Sequence, residues 1–437
     1  MATLRGRRLI RRLTVPPLEA LEPYLPRLAG ADPDTRRTVA AILDDVLARG
    51  DAAVREYTRQ FDGIDLEPKA WELDAATWQD ALGKVPPGLR EALTRAVRRV
   101  TEYHQRQRDT GFHLAEPDGS VTGMRVAPLD RVGLYVPGGK ASYPSSVVMN
   151  AVPALVAGVQ EIIAVVPSQG VTDVVLAACA LSGVTRVFRI GGAQAIAALA
   201  YGTRTIPRVD KIVGPGSRWV AEAKRQVVGQ VGIDMVAGPT ELLVIADQTA
   251  RPDRVAADLI AQAEHDEDAT SWCVTTDPDL AEALPGALEE ALARTPRGAI
   301  AREALDRNGL IVFAKSMRDA IEVVNRRAPE HVQVVTEGPE RVASAIRNAG
   351  ALFLGDDTPE PVGDYLAGPS HVLPTGGTAR FSSPLGVYDF VKRTSVIRYA
   401  PARLAEDADA IIALAEAEGL YGHAEAVRMR VGGAAGQ

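Results

Sequence analysis

The sequence predicts an α/β protein built on two parallel sheets. Two observations carry this. Between residues 131 and 355 short apolar runs alternate with amphipathic stretches of about ten to fifteen residues, the pattern of βαβ units. The apolar runs are nearly continuous rather than alternating, which fits sheets covered on both faces.

Taken in order, residues 1 to about 30 read as an arm. Its start, "MATLRGRRLIRRLT", is arginine-rich but lacks the apolar core of a secretory signal. The residues after it are proline-broken and acidic, which sets it apart from a transit peptide. Residues 34–107 read as helical. In "DTRRTVAAILDDVLARGDAAVREYTRQFDG" apolar residues recur at three-to-four spacing, with Gly50 a stop and Asp51 a restart. "PPGLREALTRAVRRVTEYHQRQ" continues the pattern, and His104, among polar neighbours, reads as a solvated helix position.

At residue 131 the texture changes. "RVGLYV", "EIIAVV", "RVFRIG" and "KIVG" read as strands, each followed by a helical stretch such as "PSSVVMNAVPALVAG" or "SRWVAEAKRQVVG". A second series then opens with "ELLVIAD" and runs through "SWCVTT", "GLIVFA", "HVQVVT" and "ALFLG". The two series, 131–240 and 241–355, predict two Rossmann-like halves. From residue 381, "SSPLGVYDFVKRTSVIRY" and two short helical pieces read as a C-terminal extension.

Composition narrows the function. The chain has 437 residues, 46% hydrophobic and 24% charged, with a net charge of -7, so a soluble globular protein is expected and nucleic acid is a poor partner. No apolar run approaches the roughly 18 residues of a membrane span. Two cysteines, Cys179 and Cys273, sit in apolar runs and read as buried thiols, which fits a reducing, cytoplasmic home.

Candidate chemistry lies in loops and helix ends. "YVPGGK" (135–140) and "VGPGSRWV" (213–220) each join a strand to a helix, where glycines and a helix N-terminus can approach phosphate. Neither completes G-x-G-x-x-G, so by pattern alone a dinucleotide site is a weak reading and tight βα turns are the plainer one. Gln262 and His265 share one face at the end of a helix, as metal ligands or as a polar helix end. "GDYLAGPSHVLPTGGTARFSS" (363–383) carries Asp364 and His371 in a loop poor in long charged chains, either a site-lining loop or a turn-rich connection. Glu418 sits in the last turn of a helix, against the dipole, and His423 begins the next helix. Finally, "RRAPEHVQVV" (326–335) sets Glu330 beside His331 where a strand begins. That is either a solvated joint or a pair of bases sharing one substrate.

These stretches, with "LDRVGLYVPGGKASYPSSVVMNAVPALVAGV", "LIAQAEHDEDA" and "AEGLYGHAEAVRMR", resemble the histidinol dehydrogenase family, in order and over nearly the whole chain. The resemblance implies oxidation of L-histidinol to L-histidine through the aldehyde by two NAD+, closing histidine biosynthesis. It implies two incomplete Rossmann-like domains in an intertwined homodimer with one zinc ion per site. The implied division is 1–30 as arm, 31–130 with 241–380 as zinc and substrate domain, and 131–240 as NAD-binding domain. Residues 381–437 would form an extension completing the partner subunit's site. Zinc would be held by Gln262, His265, Asp364 and His423. His331 would take the hydroxyl proton, and Glu330 would activate water on the aldehyde. Thr240, His371 and Glu418 would join these in contacting substrate, and Tyr135, Gln194 and Ser217 would contact NAD. The chain departs from the family's usual residues at Ser217 (Asn), Trp219 (Tyr), Thr240 (Ser) and Ser370 (Asn). The first two fall in the cofactor loop and bear on NAD affinity. The rival readings are a related zinc and NAD dehydrogenase for another polar alcohol, a zinc hydrolase, and a non-catalytic binding protein.

Overall fold

A computed structural model of the chain describes residues 9–26, 32–138 and 143–432. The arginine-rich start of the expected arm, and Gly139 and Lys140 of the first glycine turn, lie outside the described residues.

The described chain begins with strand β1 (Arg11–Val15), so the arm is in part a strand. Helices α1 (Pro33–Arg49) and α2 (Asp51–Asp62) meet at Gly50, whose φ of 56° ends one helix and lets the next begin. Asp32 caps α1 by accepting from the Thr35 amide. A two-residue strand, β2 (Glu72–Leu73), precedes α3 (Ala75–Lys84) and α4 (Pro87–Gln105). Strands β3 (Phe112–Ala115) and β4 (Val121–Pro128) follow.

The first βα series is β5 (Arg131–Tyr135), α5 (Pro144–Ala157), β6 (Glu161–Val165), α6 (Asp173–Leu181), β7 (Arg186–Phe188), α7 (Gly192–Tyr201), β8 (Lys211–Val213), α8 (Arg218–Gln226) and β9 (Gly232–Ile233). The second is β10 (Glu241–Ala246), α9 (Pro252–Ala263), β11 (Thr270–Thr275), α10 (Pro278–Arg294), α11 (Gly298–Asn308), β12 (Leu310–Ala314), α12 (Met317–Arg327), β13 (His331–Val335), α13 (Pro339–Ala343) and β14 (Ala351–Leu354). A short helix α14 (Pro361–Tyr365), strand β15 (Val391–Arg398) and helices α15 (Pro401–Ala417) and α16 (Tyr421–Val431) complete the chain.

Each series supplies five strands of a six-stranded sheet completed by β2 or β1, in the orders β2-β7-β6-β5-β8-β9 and β1-β12-β11-β10-β13-β14. All pairings are parallel except β2 with β7. The double cover inferred from continuous apolar runs is borne out in β10. Leu242, Val244 and Ala246 enter one core cluster, while Leu243 and Ile245 enter the cluster on the opposite face. Burial of each such large side chain contributes about 1.5–3 kcal/mol.

The grouping of 31–130 with 241–380 does not describe the contacts. Helices α1 and α2 pack on α7, α1 also on α8, α3 on α6, and α4 on α5, so residues 33–105 cover the first sheet. Trp71, fully buried beside β2, belongs to that core. Residues up to Gln107 form one compact unit with Asp130–Phe390. Residues Arg108–Leu129 form a second with the chain from Val391 onward. In the second unit β15, β4 and β3 make an antiparallel sheet, and α15 packs on α16. The C-terminal extension therefore folds with a segment from near residue 120. His104 is also corrected: it is 0% exposed, on the face of α4 that buries Leu93, Ala96 and Val100.

Candidate active site

A cleft of about 430 Å³ lies where the two series meet. One wall holds Gly138 and Ser217, which follow β5 and β8. The other holds Thr240 and Glu330, which precede β10 and β13. The C-terminal ends of one sheet thus face the N-terminal ends of the other. Strands β10 and β13 are neighbours with Leu242 opposite His331, so Thr240 and Glu330 come together without long loops.

The turn that brings Glu330 and His331 to one cleft is at Ala328. It adopts φ 48° and ψ 60°, and it is the one non-glycine residue at positive φ among the described residues. An L-residue there costs roughly 1–2 kcal/mol. Consecutive side chains of an extended strand point to opposite faces. Here Glu330 precedes β13 and only His331 belongs to it, so both face the cleft.

Glu330 is 7% exposed; its Oε2 accepts from Thr240 Oγ1 at 2.7 Å and from the Glu241 amide at 2.9 Å. Burial pushes its carboxyl up to about 8, against those two hydrogen bonds, which stabilise the anion. His331 Nδ1 lies 3.0 Å from the Glu241 carbonyl. A carbonyl can only accept, so Nδ1 carries the proton and Nε2 is left as a base. Burial lowers the imidazole's tendency to charge, opposed mainly by the Asp364 carboxylate. A neutral imidazole and a carboxyl that ionises only toward pH 8 therefore share one cleft.

Gln262, 1% exposed at the end of α9, donates from Nε2 to Thr240 Oγ1 at 2.8 Å. Its Oε1 is buried with no partner among the described residues. His265, just past α9, opens onto the cleft; its ring is accessible to solvent, yet the protein around it still disfavours the charged form. Asp364 Oδ1 is 3.6 Å from His371 Nδ1. Burial pushes the Asp364 carboxyl up, but His371 and the other imidazoles outweigh it and hold it below the ordinary range.

Sequence reading missed Glu360. It is 2% exposed and its Oε1 is 3.7 Å from His331 Nε2. Burial and then the Asp364 charge raise its carboxyl. Donor atoms of His331, Glu360 and Asp364 lie within 4.8 Å of one another. The available signal was the spacing Glu360–Asp364, one helical turn apart.

Tyr135, at the end of β5, belongs to the core cluster of the first sheet rather than to the cleft lining, and its hydroxyl accepts from the Gly192 amide at 3.1 Å. Ser217 lines both the cleft and a smaller cavity of about 230 Å³ bounded by Phe61, Trp219 and Gln194. Gln194 is fully buried, and neither side-chain amide atom has a partner among the described residues. The loop before Ser217 is held from below. The Gly214 amide donates to Asp234 at 2.7 Å, and Lys224, ion-paired with Asp234, donates to the Gly214 carbonyl at 2.9 Å. Glu418 and His423 belong to the second unit, at the end of α15 and in the first turn of α16, and both are exposed.

The family model for histidinol dehydrogenase matches residues 26–431. The chain belongs to the histidinol dehydrogenase family. It is 50% identical over 406 residues to the histidinol dehydrogenase of Dechloromonas aromatica, covering 92% of this chain and 94% of that one. It is 49% identical over 395 residues to that of Oceanobacillus iheyensis, covering 90% and 92%. Its fold is similar to the crystal structure of histidinol dehydrogenase from Elizabethkingia anophelis, with a TM-score of 0.92, 32% identity, and 98% and 99% of the two chains covered. Family membership over this span leaves no place for the hydrolase or the non-catalytic reading.

Proposed function

We propose that the chain oxidises L-histidinol to L-histidine through the aldehyde, reducing two NAD+, as the last step of histidine biosynthesis. The observation that carries the reading is the convergence of Glu330 and His331 on one cleft, each held by the start of β10.

In the first step the substrate hydroxyl gives its proton to His331 Nε2 as the carbinol carbon gives hydride to NAD+. The products are aldehyde and NADH. In the second, Glu330 takes a proton from water as the water adds to the aldehyde. The hydrate then gives hydride to a second NAD+ and a proton to a base, leaving the carboxylate. Each general base contributes on the order of 10²–10⁴-fold.

Zinc fits the donors available. Gln262 offers a buried amide oxygen without a partner among the described residues, and His265 and Asp364 add an imidazole and a carboxylate. These are nitrogen and oxygen donors of the kind zinc takes. His423 from a second copy of the chain would complete the set, with Glu418 beside it as a substrate contact. When bound, the ion would hold the substrate's imidazole and amino nitrogens. Thr240 and His371 would orient the substrate, and Tyr135, Gln194 and Ser217 would hold NAD+. Two buried, unpaired cysteines suit a reducing cytoplasm. Among the described residues no helix is long and apolar enough to cross a membrane.

The test is NADH formed per L-histidinol consumed, before and after chelation and zinc add-back. Two NADH, lost on chelation and recovered with zinc, are expected. No NADH from folded, zinc-loaded protein would redirect the reading to another polar alcohol.

A further inference from the structure

Every hydrogen-bonding group of Glu241 is engaged, and its amide, its carbonyl and Oε2 bond directly to Glu330 or His331. Its amide donates to Glu330 Oε2 at 2.9 Å, and its carbonyl accepts from His331 Nδ1 at 3.0 Å. Its Oε1 accepts from Arg327 Nη2 at 2.9 Å and from the Gly376 amide at 3.1 Å, and its Oε2 from the Glu330 amide at 3.4 Å. Arg327 is the last residue of α12, immediately before the Ala328 turn. Its guanidinium is also 5.3 Å above the Trp272 ring.

Both charged side chains are 6% exposed. A buried ion pair recovers its desolvation penalty poorly, and an apolar pair of equal volume often serves stability as well or better. A role in stability alone therefore gives this pair little reason to be ionic. Its connections give another. Arg327 fixes the helix end from which the joint leaves, Glu241 fixes the strand start on which it lands, and Gly376 ties in the loop of residues 363–383. If the pair shifts, both bases shift with it.

We propose that the Glu241–Arg327 ion pair is a positioning element for both oxidation steps, setting Glu330 and His331 against the substrate while touching neither reactant. This rests on the assignment of those two residues as the bases.

In the Glu241→Gln variant the amide keeps one acceptor for Arg327 and Gly376 but turns an N–H toward the Glu330 amide, which pushes the joint away. Misplacement of the bases by about 1 Å lowers rates by up to 10²-fold. The experiment measures each half-reaction, with histidinol and with aldehyde supplied, together with KM, zinc content and Tm. The variants are Glu241→Gln, Arg327→Met and the double variant. The positioning role predicts that Glu241→Gln slows kcat of both halves about 10- to 100-fold, with KM for histidinol and zinc content within about threefold of the parent. The double variant leaves no lone buried charge, so it should regain Tm while remaining slow. If it regains rate along with Tm, or if Glu241→Gln keeps kcat within about twofold, the proposal is overturned. Arg327→Met can fail to fold, and the other two variants then decide. Glu330→Gln and His331→Asn are measured alongside. If they are slow while the pair variants are fast, only the positioning role falls. If they keep the parent rate, the base assignment falls and the positioning role with it.

Discussion

Replacing Asp258 by asparagine should stabilise the protein at alkaline pH and do little in acid. Asp258 lies on α9 one turn before Gln262 and accepts from Gln333 Nε2 at 2.8 Å. Burial raises its carboxyl from 3.8 to about 6, outweighing that hydrogen bond. An acid whose folded pKa is raised destabilises the fold wherever it is ionised. The penalty is complete above the folded value and is relieved as pH falls toward the unfolded one. A difference of 6 minus 3.8 units at 1.36 kcal/mol each makes the penalty about 3 kcal/mol at pH 8, falling to about 0.5 kcal/mol at pH 4. Asparagine keeps the shape, removes the charge, and can donate to Gln333 Oε1, which is buried without a partner among the described residues. The assay is denaturant unfolding of parent and Asp258→Asn from pH 4 to 8. The expected result is a gain of about 1–3 kcal/mol at pH 8 that shrinks steadily with acidification. A gain independent of pH, or a loss at pH 8, would refute the burial argument.

Other perturbations have equally definite outcomes. Glu330→Gln should slow aldehyde oxidation by about 10²–10⁴-fold and spare alcohol oxidation, measured by supplying each substrate; equal loss in both would remove its water-activating role. His331→Asn should slow the first hydride transfer most, read in a single turnover, and an unchanged rate would end its role as base. Mixing inactive His423→Ala with inactive His265→Ala chains should restore activity, since a mixed dimer would hold one whole site. Absence of rescue after verified subunit exchange counts against a shared site. Asp234→Ala leaves the Lys224 ammonium buried without a counter-ion, which costs about 3–5 kcal/mol, and frees the Gly214 amide. Tm should fall, and KM for NAD+ should rise more than KM for histidinol; an unchanged Tm would contradict the buried-pair account.

The two parallel sheets could be read from the chain because their strands are buried apolar runs. The antiparallel sheet of the second unit could not. Strand β3 is only Phe-His-Leu-Ala, and β15 breaks its apolar residues with Lys392, Arg393, Thr394 and Ser395, so neither shows the continuous apolar run of a buried strand. Helical periodicity shows that a helix has a buried face but not which sheet covers it, so the packing of residues 33–105 on the first sheet could not be read from the chain. His104 was misread from its polar neighbours, although Val100 and Ala96 place it on the buried stripe of α4. At the site, the quoted motifs brought Glu330, His331, Asp364 and His371 into view. Glu360 and Glu241 stayed hidden, because a lone carboxylate gains meaning only from what the fold sets beside it.

The head-to-tail meeting of the two sheets bears on how a four-electron reaction uses a two-electron carrier. On the proposed assignment NAD+ rests on the strand ends of one sheet, while substrate and bases belong to the strand beginnings of the other. The intermediate aldehyde can then stay on one wall while the spent carrier leaves the other and a fresh one arrives. Separate anchorage of carrier and intermediate is what such an exchange demands, and it confines a reactive aldehyde through the interval between its two oxidations.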